Sequence, residues 1–278
     1  MKPVLVGEIG LNHNGSVELA KKLIDLAKAN NIDYVKFQKR TIDAVYSKED
    51  LAKPKKTSFG KTYGDEKRGL EFGEKEYEEI SKYCKEVGIG WFASVWDVDS
   101  VDFMAKFETP FLKLASCCCN HMELLRKVQD SGCPSILSVG MSNPREIEEA
   151  VTILYPRLEY ILSTTSVYPC PDGMVNLQKI RAIKDAYGRW GKIGFSSHSE
   201  KIIFPVVASL FGAEMVEFHV TLDHDMEGPD HKSSVGPVGM KRISDHIAAI
   251  ERGWGGGSLF PFPEEMVKGR KYAWRRDH

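Results

Sequence analysis

The sequence predicts a single α/β domain folded as a (β/α)8 TIM barrel. Three observations predict it. Eight short apolar, β-rich runs alternate with eight amphipathic helical patterns. That alternation fills about 250 residues, the usual size of such a barrel. The competing architecture, an open doubly wound sheet, calls for a G-x-G-x-x-G turn after the first strand, and the sequence has none there.

The elements follow in order. The first strand is 3–9 (PVLVGEI) and the first helix 16–30, with Ser16 as N-cap and Leu19, Leu23, Leu26 and Ala27 at helical spacing. Further strands are 33–38, 90–95, 110–115, 134–139, 159–163, 192–196 and 215–220. Further helices are 75–87, 98–107, 120–131, 143–155, 176–187, 199–211 and 238–251. Asn143-Pro144 is a helix start with proline in the first turn, and Gly88, Gly132 and Gly212 fall at helix ends just before strands. Residues 39–74 are long, polar and rich in Lys and Gly, and they read as a structureless loop that serves as a lid or an interface. The barrel takes residues 1–252. Residues 253–278 form a tail without a domain of its own, glycine-rich at first, then basic and aromatic, suited to dock on the barrel or reach a neighbouring subunit.

Composition narrows the function. The 278 residues are 42% hydrophobic and 28% charged, which is globular. Lys and Arg number 38 against 39 Asp and Glu, so net charge is −1 and gives no electrostatic case for nucleic acid or an anionic membrane. No apolar run approaches about 18 residues, and the start lacks a signal-peptide pattern. The cysteines (84, 117, 118, 119, 133, 170) contain no C-x-x-C pair and read as reduced thiols of a cytoplasmic protein. Successive strand residues face opposite ways, so the Cys117–Cys119 triplet cannot give one ion three ligands.

The polar residues cluster at strand ends, where a barrel of this kind does its chemistry. Strand one brings Glu8, then Asn12, His13 and Asn14; strand two Lys36 and Gln38; strand three Ser94; strand four Lys113 and Ser116; strand five Ser138. Strand six runs into Thr165, Ser166 and Tyr168, strand seven into Ser196, Ser197 and His198, and strand eight holds Glu217 and His219. Burying such groups side by side is costly unless they pair or bind something. Lysines with serine hydroxyls suit a phosphate or carboxylate, and His198 with His219 suits a divalent metal. The residues alone therefore describe an anionic, phosphorylated substrate beside a His-bound metal. Rival readings stay open. Lys36 or Lys113 pairs with Glu8 or Glu217, and His13 caps a turn. His121, His224, His231, His246 and His278 lie on the surface or in loops.

In order along the chain, GEIGLNHNGS, DYVKFQ, FLKLAS, ILSVGM, TTSVYPCP, FSSH and VEFHVTLDHDMEGPDH resemble the sialic acid synthase family, N-acetylneuraminate synthase and its nonulosonic acid relatives, over residues 4–235. The resemblance implies a transferase that condenses phosphoenolpyruvate (PEP) with an open-chain amino sugar such as N-acetylmannosamine and releases phosphate by C–O cleavage. It implies a divalent metal, Mn²⁺ first and Mg²⁺ or Co²⁺ next, on His198 and His219. Lys36 and Lys113 would hold PEP, with Ser94, Ser116, Ser138 and Ser196 as donors. Gln38, Ser166, Tyr168 and Asp230 would face the substrates, and Glu8 matches the glutamate of the opening motif. A homodimer is implied too.

The sequence departs from that pattern. The family's KxxSxE glutamate is replaced by Cys118, Ser197 stands in the usual SDH, and Ser166 replaces an asparagine. Family members also append a small antifreeze-like domain, which the sequence as given does not include; Arg270, Lys271, Arg275 and Arg276 of the tail are candidate substitutes for its arginine. Competing functions are a homologue that binds sugar or PEP without turnover and a metal-dependent lyase or hydrolase. The latter is disfavoured because no H-x-H pair lies on strand one. A Schiff-base aldolase using Lys36 or Lys113 is its variant.

Overall fold

The computed structural model describes residues 2–272. Its eight parallel strands close into a barrel: β1 Val4–Gly10, β2 Tyr34–Lys39, β3 Gly90–Val95, β4 Leu112–Leu114, β5 Ser135–Ser138, β6 Leu158–Thr164, β7 Lys192–Ser197 and β8 Met215–His219. Each strand pairs with its sequence neighbours, and β1 pairs with β8 through Val4↔Met215 to Glu8↔His219. All eight expected strands are present, with ends shifted by at most two residues.

The helices between them are α1 Val17–Ala29, α2 Glu74–Val87, α3 Val98–Met104, α4 Met122–Asp130, α5 Pro144–Leu154, α6 Gln178–Tyr187, α7 Ile203–Leu210 and α8 Pro237–Gly253. Their starts follow local chemistry. Ser16 Oγ accepts from Leu19 N, and Asn143 with Glu146 forms a capping box ahead of Pro144. Gly88, Gly132 and Gly212 adopt positive φ of 74°, 72° and 85°, which ends the helix and turns the chain into the next strand. α7 begins four residues later than its apolar pattern suggests, because residues 198–201 form the loop that carries His198.

Strand residues split by parity. Leu5, Val35, Trp91, Leu112, Leu137, Ile161, Phe195 and Phe218 face outward into the main core with the helices. Val6, Phe92, Ile136, Tyr160, Leu162 and Met215 fill the barrel interior toward its N-terminal end.

The segment 39–74 is ordered, contrary to its reading as structureless. It holds two one-turn helices (Ile42–Val45, Lys48–Leu51), a hairpin (Pro54–Thr57 with Gly60–Thr62) and the helix Tyr63–Leu70, capped by Thr62 and Asp65. It sits down on the loop after β1: a Cβ on Gly15 would lie 2.3 Å from the Gly69 carbonyl oxygen, so this contact requires glycine. In the tail, Leu259, Phe260 and Phe262 are exposed just ahead of the helix Pro263–Gly269. Arg275, Arg276 and His278 lie outside the described residues. No helix among the described residues is long and apolar enough to cross a membrane.

Candidate active site

At the C-terminal end of the barrel lies a cavity of about 350 Å³. The residues given a substrate, catalytic or metal role from the sequence all line it: Glu8, Lys36, Gln38, Ser94, Lys113, Ser116, Ser138, Ser166, Tyr168, Ser196, His198, His219 and Asp230; Asn12, His13, Asn14, Thr165 and Ser197, also at strand ends, do not. The lining residues come from all eight strands and the loops after them, so closure of the barrel, rather than any local motif, brings them together.

The floor is a buried charge network. Lys36 Nζ lies 2.9 Å from Glu8 and 3.6 Å from Glu217, and Lys113 Nζ lies 3.2 Å from Glu217. The pairing open in the sequence is thus present, and two ammonium groups share the Glu217 carboxylate, which Ser196 Oγ also reaches at 3.1 Å. Burial pushes Lys113 down, Glu217 resists, Lys36 adds to the push, and its pKa settles at about 8. Burial acts on Lys36 too, but Glu217 and Glu8 outweigh it and raise its pKa. Glu217 is held at about 2, because Lys113 and Lys36 overcome the opposing effect of burial. Gln38 Nε2 donates to Glu8 at 2.8 Å.

A wall of hydroxyls rises from the floor. Ser116 Oγ accepts from Gly140 N at 3.2 Å, and Thr164 Oγ1 donates to Ser138 Oγ at 3.4 Å. Ser166 Oγ is buried without a hydrogen-bond partner. A Cβ on Gly140 would lie 2.4 Å from Ser166 Oγ and 2.7 Å from Ser116 Oγ, so glycine lets these hydroxyls converge. Ser94 Oγ instead donates to the Phe37 carbonyl at 3.3 Å.

His198 and His219 face each other with ring centroids 5.4 Å apart. His198 Nδ1 donates to the Thr165 carbonyl at 2.8 Å, which leaves Nε2 with its lone pair, now bonded to the Tyr168 hydroxyl at 2.9 Å. Burial, with His219 adding to it, lowers His198 to about 3 and keeps it neutral. His219 Nδ1 is buried without a hydrogen-bond partner, 3.8 Å from an Asp230 oxygen. A neutral imidazole oriented by a backbone carbonyl, an orphaned imidazole nitrogen and a nearby carboxylate form a donor set that suits a divalent ion. Among the described residues no three such side chains close on one point, so other oxygens would have to complete the sphere.

Two sequence expectations change, and one open reading closes. Cys118 is buried in the main core, and the neighbouring Cys117 is the thiol that lines the cavity, 3.8 Å from Cys118 Sγ. His231, expected in a surface loop, is buried between Thr221 (2.7 Å) and Asn14 (3.4 Å). His13 is a turn residue outside the cavity lining: it accepts from Gly15 N at 3.1 Å and stacks on Phe72 at 3.9 Å. His121 caps α4, accepting from Leu124 N. Sequence reasoning also missed Arg40, Tyr46, Lys67 and Trp96 of the lining. Arg40 continues the parity of Lys36 and Gln38, a signal that was readable; Lys67 arrives on a helix within the excursion and had none.

The NeuB family model matches residues 23–258. An uncharacterized protein of Methanocaldococcus jannaschii is 36% identical, covering 94% of this chain and 74% of its own. The human N-acetylneuraminate-9-phosphate synthase is 34% identical, covering 96% of this chain and 75% of its own. The N-acetylneuraminic acid (sialic acid) synthetase of Leptospira borgpetersenii, solved in complex with citrate, superposes with a TM-score of 0.84 at 28% identity, covering 99% and 93% of the two chains.

Proposed function

The chain belongs to the NeuB family, and on that premise we propose that it condenses PEP with an open-chain amino-sugar aldehyde to make a nonulosonic acid, releasing phosphate. The observation that supports this best is the cavity floor, where two buried ammonium groups share one carboxylate beneath a wall of hydroxyls. Lys113 has only a share of Glu217 and no carboxylate of its own, so an incoming phosphate completes its pairing.

In this reading Lys36 and Lys113 hold PEP's anionic groups, and the Ser116, Ser138, Ser166 and Ser196 hydroxyls donate to its phosphate or carboxylate. Ser94 closes the same wall. PEP's C3 attacks the aldehyde carbon, water adds at C2, and the adduct loses phosphate with cleavage of the C–O bond. The lysines stabilise the departing dianion electrostatically. Gln38, Tyr168 and Asp230 position the sugar, and Glu8 holds Lys36 and Gln38 in place. His198 and His219 would hold a divalent ion, Mn²⁺ before Mg²⁺ or Co²⁺, which would supply Lewis acidity to the condensation.

The test is phosphate release from PEP over a panel of open-chain sugars, with and without chelator. Aldehyde-dependent, chelator-sensitive release is expected; release that ignores the aldehyde overturns the reading. The lowered pKa of Lys113 also favours a second reading, a Schiff-base lysine. Borohydride trapping with pyruvate decides it: a covalent adduct on Lys113 selects the aldolase.

A further inference from the structure

The cavity has a second cationic end. Lys36, Gln38 and Arg40 occupy alternate positions along the second strand and just past its end, and all three line the cavity, with Arg40 nearer the mouth and joined to Lys36 only through Gln38 and Glu8. Arg40 is 3% exposed. Its guanidinium is fixed by the Tyr46 hydroxyl at 3.1 Å and by the Gln38 oxygen, and it lies 4.8 Å over the Trp96 ring. Yet Arg40 Nε and Trp96 Nε1 are buried donors without an acceptor, although Glu71 stands 3.9 Å from the former. Beside them Lys67 borders the same cavity with its nearest carboxylate, Glu66, at 3.8 Å, and Glu66 is engaged more closely by Lys55 at 2.7 Å. Glu71 is likewise engaged more closely by Lys39, at 2.8 Å. The cations at this end therefore outnumber the carboxylates that hold them, and buried donors remain unsatisfied. Such an arrangement is costly in an empty protein and is relieved by an anion.

We propose that Arg40 and Lys67 form a second anion subsite that takes a terminal oxyanion of the acceptor sugar, a phosphate monoester or a carboxylate, at the end remote from its aldehyde. This rests on the synthase reading of the same cavity. PEP occupies the lysine floor, the sugar chain runs along Gln38, and its far end meets Arg40 and Lys67. The excursion 39–74 then has a definite part in selectivity, because its helix delivers Lys67. Arg40, stacked and held at two points, offers fixed donors; Lys67, held only by a long ion pair with Glu66 and by the Tyr63 ring 4.7 Å away, keeps its ammonium protons for the ligand.

The experiment compares kcat/KM for phosphate release from PEP with N-acetylmannosamine, its 6-phosphate and its C6 carboxylate. One of the anionic acceptors should exceed the neutral sugar by roughly 100-fold, as expected for a buried charge-assisted contact. Which of the two wins tells phosphate from carboxylate. Lys67→Gln and Arg40→Gln should each shrink that ratio by about tenfold or more. PEP affinity is measured alongside, so that if one variant has lost its fold the other is read. Equal use of the neutral sugar by the wild type overturns the subsite and leaves the synthase intact. If no acceptor releases phosphate, the synthase reading fails and calorimetry decides the subsite. Saturable binding of the 6-phosphate or the C6 carboxylate, weakened by Lys67→Gln, supports it; binding of neither, or equal affinity in both proteins, overturns it.

Discussion

The barrel interior is built in two layers that stand only two residues apart on the same strands. The lower layer carries Val6, Tyr34, Phe92, Phe111, Ile136, Leu162 and Met215; the upper layer carries, on the same strands, Glu8, Lys36, Ser94, Lys113, Ser138, Thr164 and Glu217. A step of about 6.6 Å along a strand thus takes seven of the eight walls of the barrel from hydrocarbon to charge or hydroxyl; on the eighth the step runs from Gly194 to Ser196. The lower layer excludes water beneath the network and holds the strands in register. The upper layer contributes little to stability and much to recognition, because buried ion pairs barely repay their desolvation. The division predicts that mutations two residues apart on one strand fail in different ways.

The largest effect tests the upper layer. Lys113→Met should cut phosphate release by roughly 1,000-fold, as for loss of a group that stabilises developing charge, while the urea midpoint changes far less than activity does. Equal loss of both would break the comparison. The lower layer is tested on the adjacent strand by Phe92→Ala. This fully buried ring should be worth about 3–5 kcal/mol of folding stability, with kcat of the remaining folded enzyme close to wild type. His219→Ala comes next: it should abolish Mn²⁺ binding in a calorimetric titration, and unchanged affinity would remove His219 from the metal site.

The smallest effect is a pH dependence. Lys113 is charged below about 8 and neutral above it, so kcat/KM for PEP should fall by about tenfold per pH unit on the alkaline side. Stability runs the other way. An unfolded lysine titrates near 10.4, so between about 8 and 10.4 the unfolded chain holds more protons, and the contribution of Lys113 to stability rises with pH. An alkaline limb that persists unchanged in Lys113→Arg would assign the limb to another group.

The two layers were unequally legible. Short apolar, β-rich runs between helical patterns revealed the strands, and polar residues at their ends revealed the upper layer, since Lys, Glu and His in apolar runs are rare without a function. What escaped had no periodic signature. The four-residue helices Ile42–Val45 and Lys48–Leu51 are too short to show one, and so the excursion that brings Lys67 to the cavity looked structureless. His231 is buried by a contact with Asn14 across 217 residues of sequence, which no local pattern reports. Cys118 occupies a position that motif spacing assigns to the site, but a one-turn 3-10 helix at Ser116–Cys118 rotates its thiol into the core and leaves Cys117 at the cavity.

The central claim is that the upper layer binds PEP and expels its phosphate by breaking the carbon–oxygen bond. It is tested most directly with PEP labelled with ¹⁸O at the bridging ester oxygen, incubated with the enzyme, Mn²⁺ and an accepted aldehyde. Mass spectrometry of the released phosphate should find the label retained in the phosphate. Unlabelled phosphate, with the ¹⁸O left on the carbon product, would mean phosphorus–oxygen cleavage and would contradict the account.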